Sequence, residues 1–140
     1  MAAVFLSLGT NLGNRAANIG RALELLRERL GQEEALSEVI NTAAVGFDGP
    51  PFLNAVVRFR TEMEPLALLR ECKEVEQQMG RRDAPEYAPD GSRVFHDRII
   101  DVDILDYEGV RMDTPELTLP HARLSQRPFF EDLLRQVRQK

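Results

Sequence analysis

The chain has 140 residues, a formal net charge of −5 and a single cysteine. Its length suits one compact domain, and one cysteine excludes a disulfide framework or a thiolate metal cluster within the chain. The acidic balance excludes a general electrostatic attraction to nucleic acid or to an anionic membrane, so any polyanion would have to be bound locally.

The amino-terminal run is apolar but too short to cross a bilayer, and it has neither a basic segment nor a small-residue cleavage site. We therefore expect a soluble, cytoplasmic protein with one domain over residues 1–140. Cys72 lies within a helical pattern, which favours a small core residue over a reactive thiol.

Apolar periodicity predicts four main strands and two main helices. The predicted order is a buried strand over 3–8, a helix over 18–30, a weak strand over 37–45, an alternating strand over 52–61, a helix over 65–79 and a strand over 98–107. A last short helix lies in "PFFEDLLRQVRQ". This β-α-β-β-α-β order predicts an α+β sandwich with a ferredoxin-like core, in which an antiparallel sheet carries two helices on one face.

The segment between the second helix and the last strand is polar, contains proline and glycine, and shows no periodicity. We predict that it is structureless and covers the substrate, because loops of this length in compact domains are usually functional. A simple surface insertion is the alternative.

The strand over 98–107 carries charge where a core strand is expected. Residues two apart share a face, so Asp101 and Asp103 point to one side, with Cβ atoms roughly 6.5–7 Å apart, while Val102 and Ile104 point to the other. Two close carboxylates favour a divalent cation, and Mg²⁺ takes one or two carboxylates together with substrate phosphates and water. The alternative is a pair of exposed aspartates on an edge strand, paired with arginines.

Basic residues flank this strand. Arginines beside a carboxylate pair are typical of a polyphosphate site, and all but two of the 18 lysines and arginines are arginine. The residues concerned are Arg81, Arg82, Arg93, Arg98, His121 and Arg127. The chain has neither a P-loop nor a kinase glycine-rich loop, so a nucleotide would be bound by another route.

Five segments in chain order, "VFLSLGTNLGNR", "FLNAVV", "VEQQMGR", "RIIDVDIL" and "LTLPHARLSQRPFF", resemble hydroxymethyl-dihydropterin pyrophosphokinase, a folate-pathway enzyme. The resemblance extends from residue 4 to about residue 130. It implies a ferredoxin-like α/β sandwich and a single pyrophosphokinase domain. The implied reaction transfers an intact diphosphate from ATP to the hydroxymethyl group of the reduced pterin and releases AMP.

The same resemblance implies roles for individual residues. Asp101 and Asp103 would hold two Mg²⁺ ions, one bridging the α- and β-phosphates of ATP and the other the β- and γ-phosphates. The pterin would contact Thr42, Val45, Phe52, Asn54 and Phe129, with the two phenylalanines sandwiching the ring. ATP would contact Glu76, Arg81, Arg98, Ile104, Thr118, His121 and Arg127. Arg81 and Arg98, together with the aspartates, would be the catalytic residues.

The chain departs from the family pattern in three places. Before the strand that carries Asp101 and Asp103, the chain has "VFHDR" instead of the family's R-W-G-P-R pattern. The family's T-P-P segment near the pterin is "TAAVG" over 42–46 here. Ala122 occupies a position where tyrosine is common in the family. The first departure affects loop closure, the second affects backbone contacts to the pterin, and the third removes one nucleotide contact.

Two other functions use the same residues. A two-metal phosphohydrolase would need the aspartates but no aromatic clamp, and a ferredoxin-like binding module would need no chemistry. On the leading hypothesis the partners are small molecules, ATP and a reduced pterin, without nucleic acid or membrane, and we expect a monomer.

Overall fold

The structure is a computed structural model. It describes residues 1–43, 49–80, 86–87, 93–94, 99–121, 124 and 127–138. Val45, Arg81 and Arg98, which the sequence places in the site, lie outside the described residues, as do Arg82 and Ala122.

Nine strands and three helices make up the described part of the chain. The strands are β1 (Ala2–Thr10), β2 (Gln32–Leu36), β3 (Ile40–Thr42), β4 (Phe52–Thr61), β5 (Glu86–Tyr87), β6 (Arg93–Val94), β7 (Asp101–Tyr107), β8 (Met112–Asp113) and β9 (Thr118–Leu119). The helices are α1 (Arg15–Leu30), α2 (Pro65–Gln78) and α3 (Phe129–Arg138). None of these helices has the length and apolar character that a membrane span requires.

The main sheet has the strand order β2-β4-β1-β7, and β3 pairs with the other end of β4. Every pairing in this sheet is antiparallel. The prediction of an α+β chain built on an antiparallel sheet with helices is therefore confirmed.

The sheet buries side chains on both faces. On one face, α1 and α2 pack over a core that includes Leu6, Val57 and Ile104. On the other face, α3 packs over Phe5, Val56 and Leu105. The predicted alternation along β4 is confirmed, because Leu53, Val57 and Phe59 join the first core and Val56 joins the second.

A β-bulge at Leu105 lets β7 serve both cores at its carboxyl end. Leu6 pairs with Ile104 and Phe5 pairs with Asp106, so Leu105 is the extra residue. Leu105 and Asp106 therefore both lie on the α3 face. The side chain of Tyr107 lies on the other face, in the core under α1 and α2, where its hydroxyl donates to the carbonyl of Met63 at 2.7 Å.

Polar contacts fasten the last turn of α3 to this face. Arg58 donates to the carbonyl oxygen of Val137 at 2.6 Å, and its Nε lies 3.1 Å from a carboxylate oxygen of Glu34. The hydrogen bond that Arg60 donates to Glu34 at 2.9 Å is the main cause that holds the pKa of this carboxyl below its ordinary value. The helix is thus anchored at the end opposite to Phe129, its first residue.

Several predicted boundaries were wrong. Among the described residues, the weak strand predicted over 37–45 is reduced to β3 (Ile40–Thr42). β2, which is "QEEAL", was not predicted, because its glutamates conceal it from a hydrophobic pattern. Helix α1 begins three residues before the predicted position because Asn14 caps it, accepting from the amide of Ala17 at 3.1 Å. The last main strand begins at Asp101, not at 98.

Two regions read as irregular contain short paired strands. β5 and β6 pair within the segment predicted to be structureless, and β8 and β9 form a hairpin before the last helix. Two-residue strands are too short to produce a periodic pattern.

Candidate active site

The α3 face of the sheet has two parts. The apolar half is the region under α3, built on Phe5, Val56 and Leu105. The polar half is the adjoining region of the same face, towards the carboxyl end of β1. It consists of Ser7, Gly9, Thr42, Phe52, Asn54, Asp101 and Asp103.

Strand register brings the polar half together. Gly9 pairs with Asn54 on one side and with Asp101 on the other, and residues directly opposite each other in an antiparallel sheet share a face. Ser7 pairs with Asp103 in the same way. Residues that are far apart in sequence, and that the resemblance assigns to pterin and to metal, therefore stand on one face in neighbouring strands.

Asn54 is held in one orientation. It is buried, and its side-chain Nδ2 donates to the hydroxyl oxygen of Thr42 at 2.6 Å. Thr42 pairs with Phe52, two residues before Asn54, so all three side chains lie on the same face. With Nδ2 directed to β3, the carbonyl oxygen Oδ1 of Asn54 is directed over Gly9 on β1.

Asp101 and Asp103 are both partly buried and lie on one face of β7, as predicted. β7 is a terminal strand in the order of the main sheet, which agrees with the edge-strand part of the alternative interpretation. Within the described ranges, no group of three or more His, Cys, Asp and Glu side chains could hold a metal ion. Two carboxylate donors without sulfur or imidazole fit Mg²⁺, which commonly takes the rest of its shell from phosphate and water.

Glu76 supports this strand from the opposite face. It is 4% exposed, and its Oε2 accepts a hydrogen bond at 2.8 Å from the backbone amide of Val102, the residue between the two aspartates. The side chain of Glu76 therefore does not lie on a solvated face of the helix. Periodicity could not find this contact, because a glutamate in a helix is usually read as exposed.

The remaining nucleotide candidates border β7 and α3. His121 donates its backbone amide to the carbonyl of Leu105 at 2.8 Å, which holds the segment after β9 beside β7. Thr118 lies in β9 and is partly exposed, whereas the side chain of Ile104 is buried in the helix-covered core. Ile104 as a whole residue is 1% exposed, and its contact with ATP stays a prediction.

Phe129 begins α3 and is partly buried against the core of the apolar half. Its ring centroid is 4.5 Å from that of Phe130, and the two rings are tilted by 51°. Arg127 lies just before the helix, where its carbonyl accepts from the amide of Phe130 at 3.1 Å.

The side chains of Arg15 and Asn11 make hydrogen bonds near Thr42 that the sequence did not predict. Arg15 donates to the side-chain oxygen of Asn41 and to the carbonyl of Pro51, each at 2.9 Å, and Asn11 donates to the carbonyl of Pro50 at 3.1 Å. The two bonds of Arg15 connect β3 to the residue before β4, and the bond of Asn11 connects the end of β1 to the same segment before β4.

Cys72 is a core residue, as predicted. It is fully buried in α2, and burial raises the pKa of its thiol far above the ordinary value. A buried thiol with a raised pKa is not a nucleophile at neutral pH.

A family model for 7,8-dihydro-6-hydroxymethylpterin-pyrophosphokinase matches residues 5–139. The chain belongs to this family. The match covers all five segments on which the resemblance was based, and it extends into the carboxyl-terminal helix.

Curated relatives carry the corresponding enzyme name. A 2-amino-4-hydroxy-6-hydroxymethyldihydropteridine pyrophosphokinase of Porphyromonas gingivalis is 42% identical over 131 residues, which cover 92% of this chain and 86% of the relative. One from Aquifex aeolicus is 38% identical over 131 residues, covering 93% of this chain and 76% of the relative. Family membership identifies the chain as a pyrophosphokinase of folate biosynthesis, with ATP as co-substrate and hydroxymethyldihydropterin as acceptor.

A solved structure of HPPK-DHPS in complex with substrates has a similar fold. Its TM-score is 0.64 with 16% sequence identity, and the match covers 90% of this chain and 38% of that chain. The chain thus spans well under half the length of this structural neighbour.

Proposed function

We propose that the polar half is the active site, in which Asn54 and Phe52 bind the pterin and Asp101 and Asp103 bind the phosphates of ATP through Mg²⁺. One observation carries this proposal: Gly9 pairs with Asn54 on one side and with Asp101 on the other. Three adjacent strands therefore bring a pterin-binding amide and a metal-binding carboxylate onto one face.

The pterin end requires a flat aromatic contact and a fixed hydrogen-bonding edge. Phe52 and Phe129 supply the aromatic rings, and Asn54 supplies an acceptor whose orientation Thr42 fixes. Holding the ring in this way orients its hydroxymethyl oxygen, and orientation of two reactants accounts for a large part of the rate enhancement in such a transfer. We include Val45 among the pterin contacts because the resemblance assigns it there.

In the transfer, the hydroxymethyl oxygen attacks the β-phosphorus of ATP while the bond from this phosphorus to the α,β-bridging oxygen breaks. AMP leaves, and the hydroxyl proton passes to water. Two bound Mg²⁺ ions would supply neutralisation of phosphate charge. We propose that Arg81 and Arg98 share this neutralisation, and that Glu76, Ile104, Thr118, His121 and Arg127 surround the nucleotide.

Glu76 contributes indirectly in this proposal. Its carboxylate accepts from the amide of Val102, so it holds the segment of β7 from which Asp101 and Asp103 project. A buried hydrogen bond to a charged acceptor is stronger than one between neutral groups.

We further propose one monomeric domain over 1–140 that acts in the cytoplasm on small molecules alone, without nucleic acid or membrane. The net charge of −5 supports this, since it opposes anionic surfaces. We assign the core to the ferredoxin-like class. The strand order β2-β4-β1-β7, with helices after β1 and β4, supports this assignment.

Formation of AMP from ATP, Mg²⁺ and reduced hydroxymethylpterin tests the proposal. We expect pterin-dependent AMP formation, and a loss of on the order of 10²-fold or more in Asp101→Ala and in Asp103→Ala. Asp106→Asn is the matched control, because Asp106 lies on the same face of β7 but pairs with Arg138.

The control should keep near-normal activity. ADP or phosphate released without pterin would instead indicate a phosphohydrolase. Equal rates of AMP formation in all three variants would show that Asp101 and Asp103 are not part of the active site.

A further inference from the structure

We propose that Gly9 is a positioning residue for pterin binding, because the absence of its side chain lets Asn54 lie over β1. The inference rests on the proposed function of the polar half. The first strand was predicted to end at residue 8, but Gly9 and Thr10 belong to β1.

The backbone at position 9 does not require glycine. Gly9 lies inside a regular strand, and it is not among the glycines with positive φ, which are Gly13, Gly31, Gly80 and Gly109 in the described chain. Glycine inside a strand is unfavourable, since it has no side chain to pack and loses more backbone entropy on folding than other residues. A strand glycine of this kind marks a close approach by another group.

The close approach is made by two side chains of β4. A Cβ atom at position 9 would lie 3.0 Å from Oδ1 of Asn54 and 3.6 Å from Cδ1 of Phe52. The first distance is shorter than ordinary van der Waals contact, so Asn54 would have to move, whereas the second distance is ordinary.

Asn54 has little freedom to move. It is 7% exposed, it lies in a strand that is paired on both sides, and its Nδ2 donates to the hydroxyl of Thr42 at 2.6 Å. A methyl group at position 9 would therefore displace the amide by a few tenths of an ångström, either by turning it against its bond to Thr42 or by moving β4 away from β1. Both changes displace Oδ1, the acceptor that we assign to the pterin edge.

Gly9 also lies between the two substrate sites. Adjacent antiparallel strands place paired Cα atoms about 4.5–5.5 Å apart, so Asn54 and Asp101 stand about 10 Å apart across Gly9. A side chain at this position would project into the space between the pterin contact and the metal ligand. The prediction is a specific defect in binding and orientation of the pterin, without a defect in nucleotide binding.

The experiment compares Gly9→Ala with Gly20→Ala. Gly20 lies on α1, and a Cβ there meets nothing within 4 Å, so the chemical change is identical while the crowding is absent. Three quantities are measured for each variant. They are the Kd of the reduced pterin in the presence of Mg²⁺ and a non-hydrolysable ATP analogue, the Kd of this analogue alone, and kcat and KM for AMP formation.

For Gly9→Ala we expect the pterin Kd to rise and kcat to fall, together by roughly 3- to 10-fold, because the displacement is a fraction of the 1 Å misplacement that can reduce a rate by about 100-fold. The analogue Kd should stay within about twofold of wild type, as for a neutral surface change. A general structural defect would raise both dissociation constants. Equal weakening of both ligands, or an unchanged pterin Kd, would overturn the proposal.

A second comparison tests the proposal if Gly9→Ala reduces the stability of the protein. The effect of this substitution on the unfolding midpoint is measured in the wild-type background and in an Asn54→Ala background, where the crowded oxygen is gone. We expect a smaller loss in the second background, since residues in contact are coupled. An equal loss in both backgrounds would overturn the proposal. Absence of AMP formation by wild type would instead contradict the proposed function, independently of Gly9.

Discussion

The apolar half and the polar half occupy the same face of the same sheet and use the same strands. In the apolar half, Phe5, Val56 and Leu105 are at most 6% exposed and pack against α3. Two residues further along β4, and on the neighbouring strands, the side chains become an amide, a hydroxyl and carboxylates. The alternation that builds a core thus continues, with its residue types changed, into the site that we propose.

This difference separates stability from chemistry along one surface. In the apolar half, burial of apolar surface stabilises the folded state. The polar half instead contains polar and charged groups, whose burial without hydrogen-bonding partners would destabilise it. Helix α3 lies over the apolar half, where Phe129 begins the helix and Arg58 ties its last turn to β4. Substitutions that act on one half alone test whether the separation is real.

The largest expected effect on stability lies in the apolar half. Leu134→Ala removes a side chain that is 1% exposed, and it should reduce the free energy of unfolding by about 2–5 kcal/mol through the cavity it leaves. At a temperature where the variant is folded, its kcat should remain near wild type. Urea denaturation and AMP assays check both expectations.

Leu66→Ala, at a position 37% exposed on α2, is the control and should change stability little. A folded Leu134→Ala protein with strongly reduced kcat would contradict the separation of the halves.

An intermediate effect is expected from the support that α2 gives to β7. Glu76→Ala removes the acceptor of the buried Val102 amide, so we expect a loss of about 1–3 kcal/mol in the free energy of unfolding. Glu76→Gln retains an acceptor oxygen and should lose less. The two variants are compared by urea denaturation, and equal losses would mean that the hydrogen bond to Val102 is not what Glu76 contributes.

The smallest expected effect is on the pH dependence of stability, through the ion pair between Glu34 and Arg60 beside the apolar half. The pKa of Glu34 is lowered, chiefly by the hydrogen bond from Arg60, so the charged form stabilises the folded state. This stabilisation is present above the unfolded-state pKa, near 4.5, and is lost as pH falls through the lower folded-state pKa.

Wild type should therefore lose more stability than Glu34→Gln between pH 7 and the acid range, as measured by the urea midpoint. Parallel pH profiles for the two proteins would show that the pair with Arg60 contributes nothing measurable.

The sequence predicted the long elements and their faces well. Helix α2 and the alternation of β4 carry strong periodic signals, and Val102 and Ile104 of β7 point away from the aspartates as expected. The family segments also predicted Asn54 and Asp101 as site residues, but the sequence could not predict that both pair with Gly9. Strand register depends on contacts between distant residues, which one-dimensional periodicity does not contain.

The errors have local physical causes. β2 contains Glu33 and Glu34, whose carboxylates pair with arginines of α1 and β4, so a polar segment forms a strand through ion pairs. Glu76 is buried because a backbone amide on β7 satisfies it. Gly9 was left outside the first predicted strand because glycine usually signals a turn, whereas here it provides room for Asn54.

The most direct test of the central claim is to locate the divalent cation by paramagnetic NMR. Mn²⁺ replaces Mg²⁺ in the complex with a non-hydrolysable ATP analogue, and broadening of backbone amide signals is recorded along the chain. We expect the strongest broadening at Asp101–Asp103 and at Ser7 and Gly9, and much weaker broadening at Val137 in the last turn of α3. Strongest broadening elsewhere, or no loss of broadening in Asp101→Ala, would contradict the assignment of the polar half as the site of pyrophosphoryl transfer.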